Sequence, residues 1–189
     1  QFGFTKILND LRHQYQEHKI RDSQITTKLA EFFNGKNDDE LKNVYNKIHL
    51  QDNIVKVLER LKKRRYELAI VSHAFSPVVY YFAEILGIPK TNIICPVLVK
   101  GKNNKYNGEV LAKTHHNATC CDSIICKADA ANELMEKLEV KPEECIAVGD
   151  GRSDECLFRA SGLALAYKSN QKIGDISISH LSEILIYAE

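Results

Sequence analysis

From residue 51 onward, short apolar runs alternate with amphipathic stretches, and this alternation most narrows the folds open to the chain. The runs "ELAIVS", "NIICPV", "CIAVGD" and "LALAY" are apolar at nearly every position rather than at every second one. A strand of that kind is buried on both faces, as in a parallel sheet covered by helices. The intervening segments supply the helices. "NIVKVLERLKKR" places Ile54, Val57, Leu58 and Leu61 on one stripe. "SPVVYYFAEILG" offers Ser76 as N-cap, Pro77 at the first helical position and Gly87 past the end. "KADAANELMEKLEV" and "SDECLFRAS" continue the pattern, and "DISI" and "LSEILIYA" finish the chain. The expectation is an α/β fold with a three-layer parallel sheet.

The first fifty residues differ. "TKILNDLRHQYQEH" carries Ile7, Leu8, Leu11 and Tyr15 on one face, "ITTKLAEFF" stops at Asn34-Gly35, and "DDELKNVYNKIHL" starts with acids. None of these reads as a strand, so residues 1–50 are expected to form a small helical domain and residues 51–189 the α/β core. Within the core, "VLVKGKNNKYNGEVL" reads as a hairpin around a Gly/Asn/Lys tip.

With 26 Lys and Arg against 25 Asp and Glu, the net charge of +1 gives no general pull toward nucleic acid or membrane. The densest basic run, Lys62-Lys63-Arg64-Arg65, falls where a helix ends, which suits cations. No stretch has the length of a membrane span and no signal peptide is visible, so a cytoplasmic protein is expected. Six irregularly spaced cysteines favour reduced thiols over a disulfide framework. "THHNATCCDSIICK" holds two His and three Cys, but adjacent pairs do not match zinc-ligand spacing.

Parallel sheets of this type bind ligands beyond the carboxyl ends of their strands. Ser72 lies at one such end, in "AIVSHAF", and Asp150 and Asp154 lie at another, in "GDGRSDECLF". Lys127 starts a helix, in "CKADAANEL". A phosphate dianion needs donors and positive charge, which a hydroxyl, a lysine and helix N-termini supply. A hard divalent cation needs oxygen ligands, which carboxylates supply. Gly149 and Gly151 are expected to let the backbone turn tightly beside them. Asp154, in the first turn of the next helix, can reach back toward the lysine or a metal-bound water. His73 lines the pocket or is a plain loop residue, and Arg152 and Ser153 sit in the turn. Tyr80, Tyr81 and Phe82 read as helix packing, and Arg12, Arg21 and Lys28 are cations available to a substrate carboxylate.

This order of motifs resembles the haloacid dehalogenase superfamily of phosphohydrolases, over nearly the whole chain. "VSHAF" is similar to that family's second motif, Lys127 to its third and "GDGRSDECLF" to its fourth. The leading helices are similar to the cap of its phosphoserine-phosphatase-like branch. The resemblance implies a Rossmann-like core with a helical cap. It also implies Mg²⁺ as cofactor and a small phosphorylated metabolite as partner, with no nucleic acid or membrane. Ser72 would bind a phosphoryl oxygen of the substrate, and His73, which stands where the family often has Gly, is a substrate-binding candidate beside it. Lys127 would neutralise phosphate and nucleophile, and Asp150 would hold the metal with Asp154 supporting it. The family's first motif, Asp-x-Asp-x-Thr/Ser, supplies an attacking carboxylate and a general acid-base. No Asp-x-Asp occurs in these 189 residues. The motif is therefore expected upstream of Gln1, and the sequence as written would be inactive. The expected activity is hydrolysis of a phosphomonoester through an aspartyl-phosphate. The alternatives are a non-catalytic binding or scaffold relative, a phosphotransferase to an acceptor other than water, and the phosphorylation domain of an ion pump. The last shares the Gly-Asp-Gly-x-x-Asp turn but would need membrane spans.

Overall fold

The computed structural model describes residues 5–112, 121 and 123–188. In chain order the helices and strands are α1 (Thr5–Gln16), α2 (Asp22–Glu31), α3 (Asp38–Tyr45), α4 (Ile54–Lys63), β1 (Ile70–Val71), α5 (Ser76–Ile85), β2 (Ile93–Ile94), β3 (Val97–Lys100), β4 (Tyr106–Leu111), α6 (Lys127–Lys137), β5 (Ile146–Gly149), α7 (Glu155–Arg159), β6 (Leu163–Tyr167), β7 (Ile176–Ile178) and α8 (Ile184–Tyr187). The chain divides into two compact units. One comprises Gln1–Ile48, Ser72–Tyr81 and Cys95–Cys126, and the other His49–Val71, Phe82–Ile94 and Lys127–Glu189.

The second unit holds the parallel strands. β5, β6 and β7 lie side by side in that order, all parallel, with Val148 opposite Leu165 and Leu165 opposite Ile176. Successive side chains of a strand point to opposite faces, and β6 shows what that does. Leu165 faces a cluster with Val57 and Leu61 of α4, Ile178 of β7 and Ile184 of α8. Its neighbours Ala164 and Ala166 face the other way, against Ala147 and Phe158 of α7. Helices thus cover both faces of the strand, giving the three layers that the apolar runs predict. Burying a side chain such as Leu165 contributes roughly 1.5–3 kcal/mol relative to exposure.

β1 pairs in parallel with β2, Ile70 opposite Ile93 and Val71 opposite Ile94. This ladder is only two residues long and both β1 residues are half-buried, whereas the sequence predicts a longer, buried strand over 67–72. The reason is pairing: among the described residues β1 has a ladder on one edge only, and so does β5.

Lys62 and Arg64 of the basic run serve helix ends rather than an anion. The ammonium of Lys62 donates to the Leu86 and Gly87 carbonyls just past α5, at 3.0 and 2.7 Å. Arg64 donates to the Leu185 carbonyl at 2.8 Å and to that of Ala188 at the end of α8. Cations at orphan C-terminal carbonyls satisfy hydrogen bonds and complement the helix dipole together.

The first unit joins the leading helices to the hairpin. α3 opens with a reciprocal cap: Asn37 Oδ1 accepts from the Glu40 N–H and the Glu40 carboxylate accepts from the Asn37 N–H, both at 3.0 Å. β3 and β4 are antiparallel. The Asn34-Gly35 stop of α2 turns alongside β4, where the Gly35 N–H donates to the Tyr106 carbonyl and the Tyr106 N–H to that of Lys36, both at 2.8 Å. Gly108, at φ +84°, permits α2 to press on β4; a Cβ there would come within 3.3 Å of the Glu31 Cα. Ala30, Leu41, Leu98 and Tyr106 form the core of this unit. The hairpin, within 51–189, therefore packs with the helices of residues 1–48. Asp38 ties the two: its carboxylate accepts from Lys100 at 2.5 Å and from the Tyr106 hydroxyl. Burial pushes the Asp38 pKa up, but the Lys100 and Tyr106 hydrogen bonds outweigh it and leave the carboxyl below its usual range.

Among the described residues no helix is long and apolar enough to cross a membrane. Cys95, Cys121, Cys126, Cys145 and Cys156 are thiols. His115, His116 and Cys120 of the His/Cys segment lie outside the described residues, as does the side chain of Arg12.

Candidate active site

β5 ends at Gly149, and the chain runs through Asp150 and Gly151 into a 3₁₀ turn, Arg152–Asp154, that leads into α7. The turn folds the Asp154 side chain back over the strand end. Asp154 is 5% exposed, and its carboxylate is filled by protein donors. Oδ2 accepts from the N–H groups of Asp150 at 3.0 Å and Gly151 at 3.2 Å. Oδ1 accepts from the ammonium of Lys127, at 2.5 Å.

Lys127 is the first residue of α6 and is 8% exposed. An ammonium that far from water requires an opposite charge and good hydrogen bonds. Asp154 supplies both. Of the two destinations open to Asp154 from sequence, the structure shows the lysine. Asp150 is the contrasting acid: it is exposed, and among the described residues its carboxylate has no hydrogen bond or ion pair. The two carboxylates thus have different duties. One is an internal counter-ion, and the other is an outward hard-oxygen donor of the kind a divalent cation takes.

The glycines act differently from expectation. Neither Gly149 nor Gly151 has a positive φ, so the turn itself does not demand them. A Cβ at Gly149 would lie 2.5 Å from the Asp154 Cγ, so its missing side chain is the space the carboxylate fills. A Cβ at Gly151 would meet nothing within 4 Å. Arg152 and Ser153 are exposed in the turn.

Ser72 and His73 belong to the other unit, immediately after the end of β1. The Ser72 Oγ accepts from the Ala74 N–H at 3.0 Å, closing a tight hydroxyl turn. Its O–H proton remains available to donate. His73 Nε2 lies 3.0 Å from the Ile125 carbonyl oxygen. Ser76 does not act as the N-cap expected of it. Its N–H donates to the Pro96 carbonyl at 2.8 Å and its Oγ accepts from Leu98 at 3.2 Å, anchoring the loop to the hairpin. Tyr81 packs on α3, its ring 5.6 Å from that of Tyr45 and its hydroxyl donating to Asn46 at 2.5 Å. Of the predicted site residues, then, Lys127, Asp154 and the Asp150 backbone are brought into direct contact, and Ser72 and His73 share a separately braced loop. The steric role of Gly149 and the Ile125 contact of His73 were not foreseen. A glycine five residues before a buried acid is a faint signal for the first, and the second has none.

The model of the haloacid dehalogenase-like hydrolase family matches residues 5–159. A phosphoserine phosphatase of Methanocaldococcus jannaschii is 25% identical over 195 aligned positions, covering 98% of this chain and 85% of that protein. A phosphoserine phosphatase of Archaeoglobus fulgidus is 24% identical over 143 positions, 76% of this chain; the match spans only 39% of that protein's length. Among solved structures, a phospho-aspartyl intermediate analogue of phosphoserine phosphatase superposes with a TM-score of 0.78 at 22% identity, covering 100% of this chain and 88% of the other. A probable phosphoserine phosphatase from Vibrio cholerae gives 0.82 at 20% identity, covering 99% and 57%. These similarities show the α/β fold, and with the family match over 155 residues the chain belongs to the haloacid dehalogenase-like hydrolase family.

Proposed function

We propose that this chain belongs to a magnesium-dependent phosphatase of small phosphomonoesters, phosphoserine-like in substrate class, acting through an aspartyl-phosphate. The observation that carries this reading is the buried Lys127–Asp154 pair beside the outward carboxylate of Asp150. A cation is held rigidly at a strand end, next to an acid with open oxygens, and a transferring phosphoryl group needs both kinds of charge around it. The relatives named phosphoserine phosphatase support the substrate class.

In this reading Lys127 faces the phosphoryl oxygens with two of its ammonium protons while Asp154 holds the third. Ser72 donates its hydroxyl proton to a phosphoryl oxygen, its lone pair already engaged by Ala74. Asp150 holds Mg²⁺, with Asp154 fixing the turn that presents it; an exposed, unpaired carboxylate is a donor that magnesium accepts. The metal, when bound, neutralises charge on the phosphate. The attacking aspartate and the acid-base aspartate would be supplied by an Asp-x-Asp segment, which these 189 residues do not contain. Residues 1–50 serve as the cap, which selects substrate and excludes water. The protein acts on soluble metabolites in the cytoplasm.

The test is phosphate release from phosphoserine and a panel of small phosphomonoesters, with and without Mg²⁺, by a chain that includes an Asp-x-Asp segment. Metal-dependent release that is lost in Lys127→Ala and Asp150→Asn is expected. No release from any member of the panel would refute the reading. Phosphate binding without turnover would instead favour a binding or scaffold relative.

A further inference from the structure

The geometry points to His73 as a positioning residue: its imidazole braces the Ser72 loop against the segment that leads into Lys127, and it does not itself hold phosphate. The inference deepens the phosphate-site reading and rests on it.

Ile125 is fully buried, at 0% exposure, and stands two residues before Lys127. Its carbonyl oxygen lies 3.0 Å from His73 Nε2. A carbonyl can only accept, so the ring carries its proton on Nε2, and that nitrogen is committed to the protein. The contact joins two stretches 52 residues apart in sequence. One stretch begins at Ser72 and the other ends at Lys127. The loop is held at further points. The Ser72 hydroxyl closes on Ala74, and Ser76 is tied in both directions to Pro96 and Leu98. Phe75 between them packs edge-on against Phe33, centroids 5.3 Å apart. Among the described residues, His73 is thus a link from this loop to the segment that leads into Lys127. Removing its N–H leaves a buried carbonyl without that donor and lets the two stretches move independently.

Four variants of the full chain test this: His73→Leu, which keeps bulk without a donor; His73→Gln, whose amide N–H reaches about as far as Nε2; His73→Ala; and Lys127→Ala. First, the long-range ¹⁵N–¹H spectrum of the wild-type ring should show the Nε2–H tautomer. An unprotonated Nε2 would overturn the brace outright. Second, calorimetric titration with inorganic phosphate in the presence of Mg²⁺ should show His73→Leu and His73→Ala weakened about tenfold, the size of one lost hydrogen bond to a buried group. His73→Gln should recover to within about threefold of wild type. A purely structural role would lower the thermal midpoint without moving phosphate affinity, and that result overturns the inference. Gln as weak as Leu would also overturn it, because the imidazole itself would then be the ligand. Lys127→Ala should lose phosphate whatever stands at 73.

If wild type binds no phosphate, the phosphate reading fails by itself. The brace is then judged by hydrogen exchange over residues 124–128. Faster exchange in His73→Leu, restored in His73→Gln, supports it, and unchanged exchange overturns it.

Discussion

Replacing Asp154 by Asn changes no volume and removes one charge, so its cost can be worked from the contacts around the carboxylate. The wild-type side chain uses both oxygens, one for the Lys127 ammonium and the other for two backbone N–H groups. An amide has one oxygen and one NH₂. With the oxygen toward Lys127, the NH₂ faces the Asp150 and Gly151 amides, donor against donors. With the oxygen toward those amides, the NH₂ faces a buried ammonium. The second arrangement strands a charge at a site 8% exposed, which costs roughly 3–5 kcal/mol. The first strands two N–H groups, one at the exposed Asp150 where water can reach and one at the half-buried Gly151, at about 1–3 kcal/mol for the latter. The chain takes the cheaper arrangement, so Asp154→Asn should lose about 2–3 kcal/mol. Urea unfolding should show this as a lower midpoint at unchanged slope. The thermal midpoint should fall by about 4–12 °C, at roughly 2–4 °C per kcal/mol for a chain of this size. Lys127→Met should cost less than the two single changes suggest when combined with Asp154→Asn, with a coupling of at least about 1 kcal/mol. A loss below about 1 kcal/mol for Asp154→Asn, or strict additivity in the double variant, would refute the claim that this pair is buried and mutually dependent.

Gly149→Ala should destabilise by about 1–3 kcal/mol because its Cβ would overlap the Asp154 carboxylate, while Gly151→Ala should stay within about 0.5 kcal/mol; chemical denaturation of the two side by side checks this. Asp38 has a folded pKa below its unfolded value, so the stability it contributes is complete above about pH 4 and drains away as pH falls through the lower folded value. Acid unfolding followed by tyrosine fluorescence should therefore become flatter over that range in Asp38→Asn, and an unchanged acid limb would count against the Lys100 and Tyr106 contacts. Lys62→Ala should lose about 0.5–1.5 kcal/mol through the two carbonyls past α5, and Lys63→Ala should lose less than about 0.5 kcal/mol. Equal effects of those two changes in thermal melts would show that charge, not capping, is what Lys62 contributes.

The parts of the fold that could be read in the chain were those set by periodicity. "LALAY" is β6 and "CIAVGD" contains β5 because runs apolar at every position have one good solution, burial on both faces. The equally apolar "ELAIVS" predicts a longer β1 than forms, because strand length is set by the partner across the edge, which a local pattern does not contain. The same holds for the hairpin: its turn residues were visible, but its packing on α2 depends on Gly108 meeting Glu31, 77 residues apart. At the site, Lys127 and Asp154 were legible as a set, through order and residue type. That Asp154 is saturated by Lys127 and two amides follows from how the 3₁₀ turn folds back, and no spacing rule separates it from its outward neighbour Asp150. Ser76 differs from its expected role for a related reason. A serine before a proline looks like a helix cap whether its hydroxyl serves the helix or, as here, the strand beside it.

The chain passes between its two units five times, after Ile48, Val71, Tyr81, Ile94 and Cys126. Neither unit can therefore be cut out as one continuous gene segment. Transplanting the helical part onto a related core would mean carrying three stretches and re-stitching every crossing. Under the proposed cap reading, substrate range is more readily altered by point changes within the interleaved stretches than by exchanging modules, and a library that shuffles residues 1–50 alone would leave the hairpin part of that unit behind.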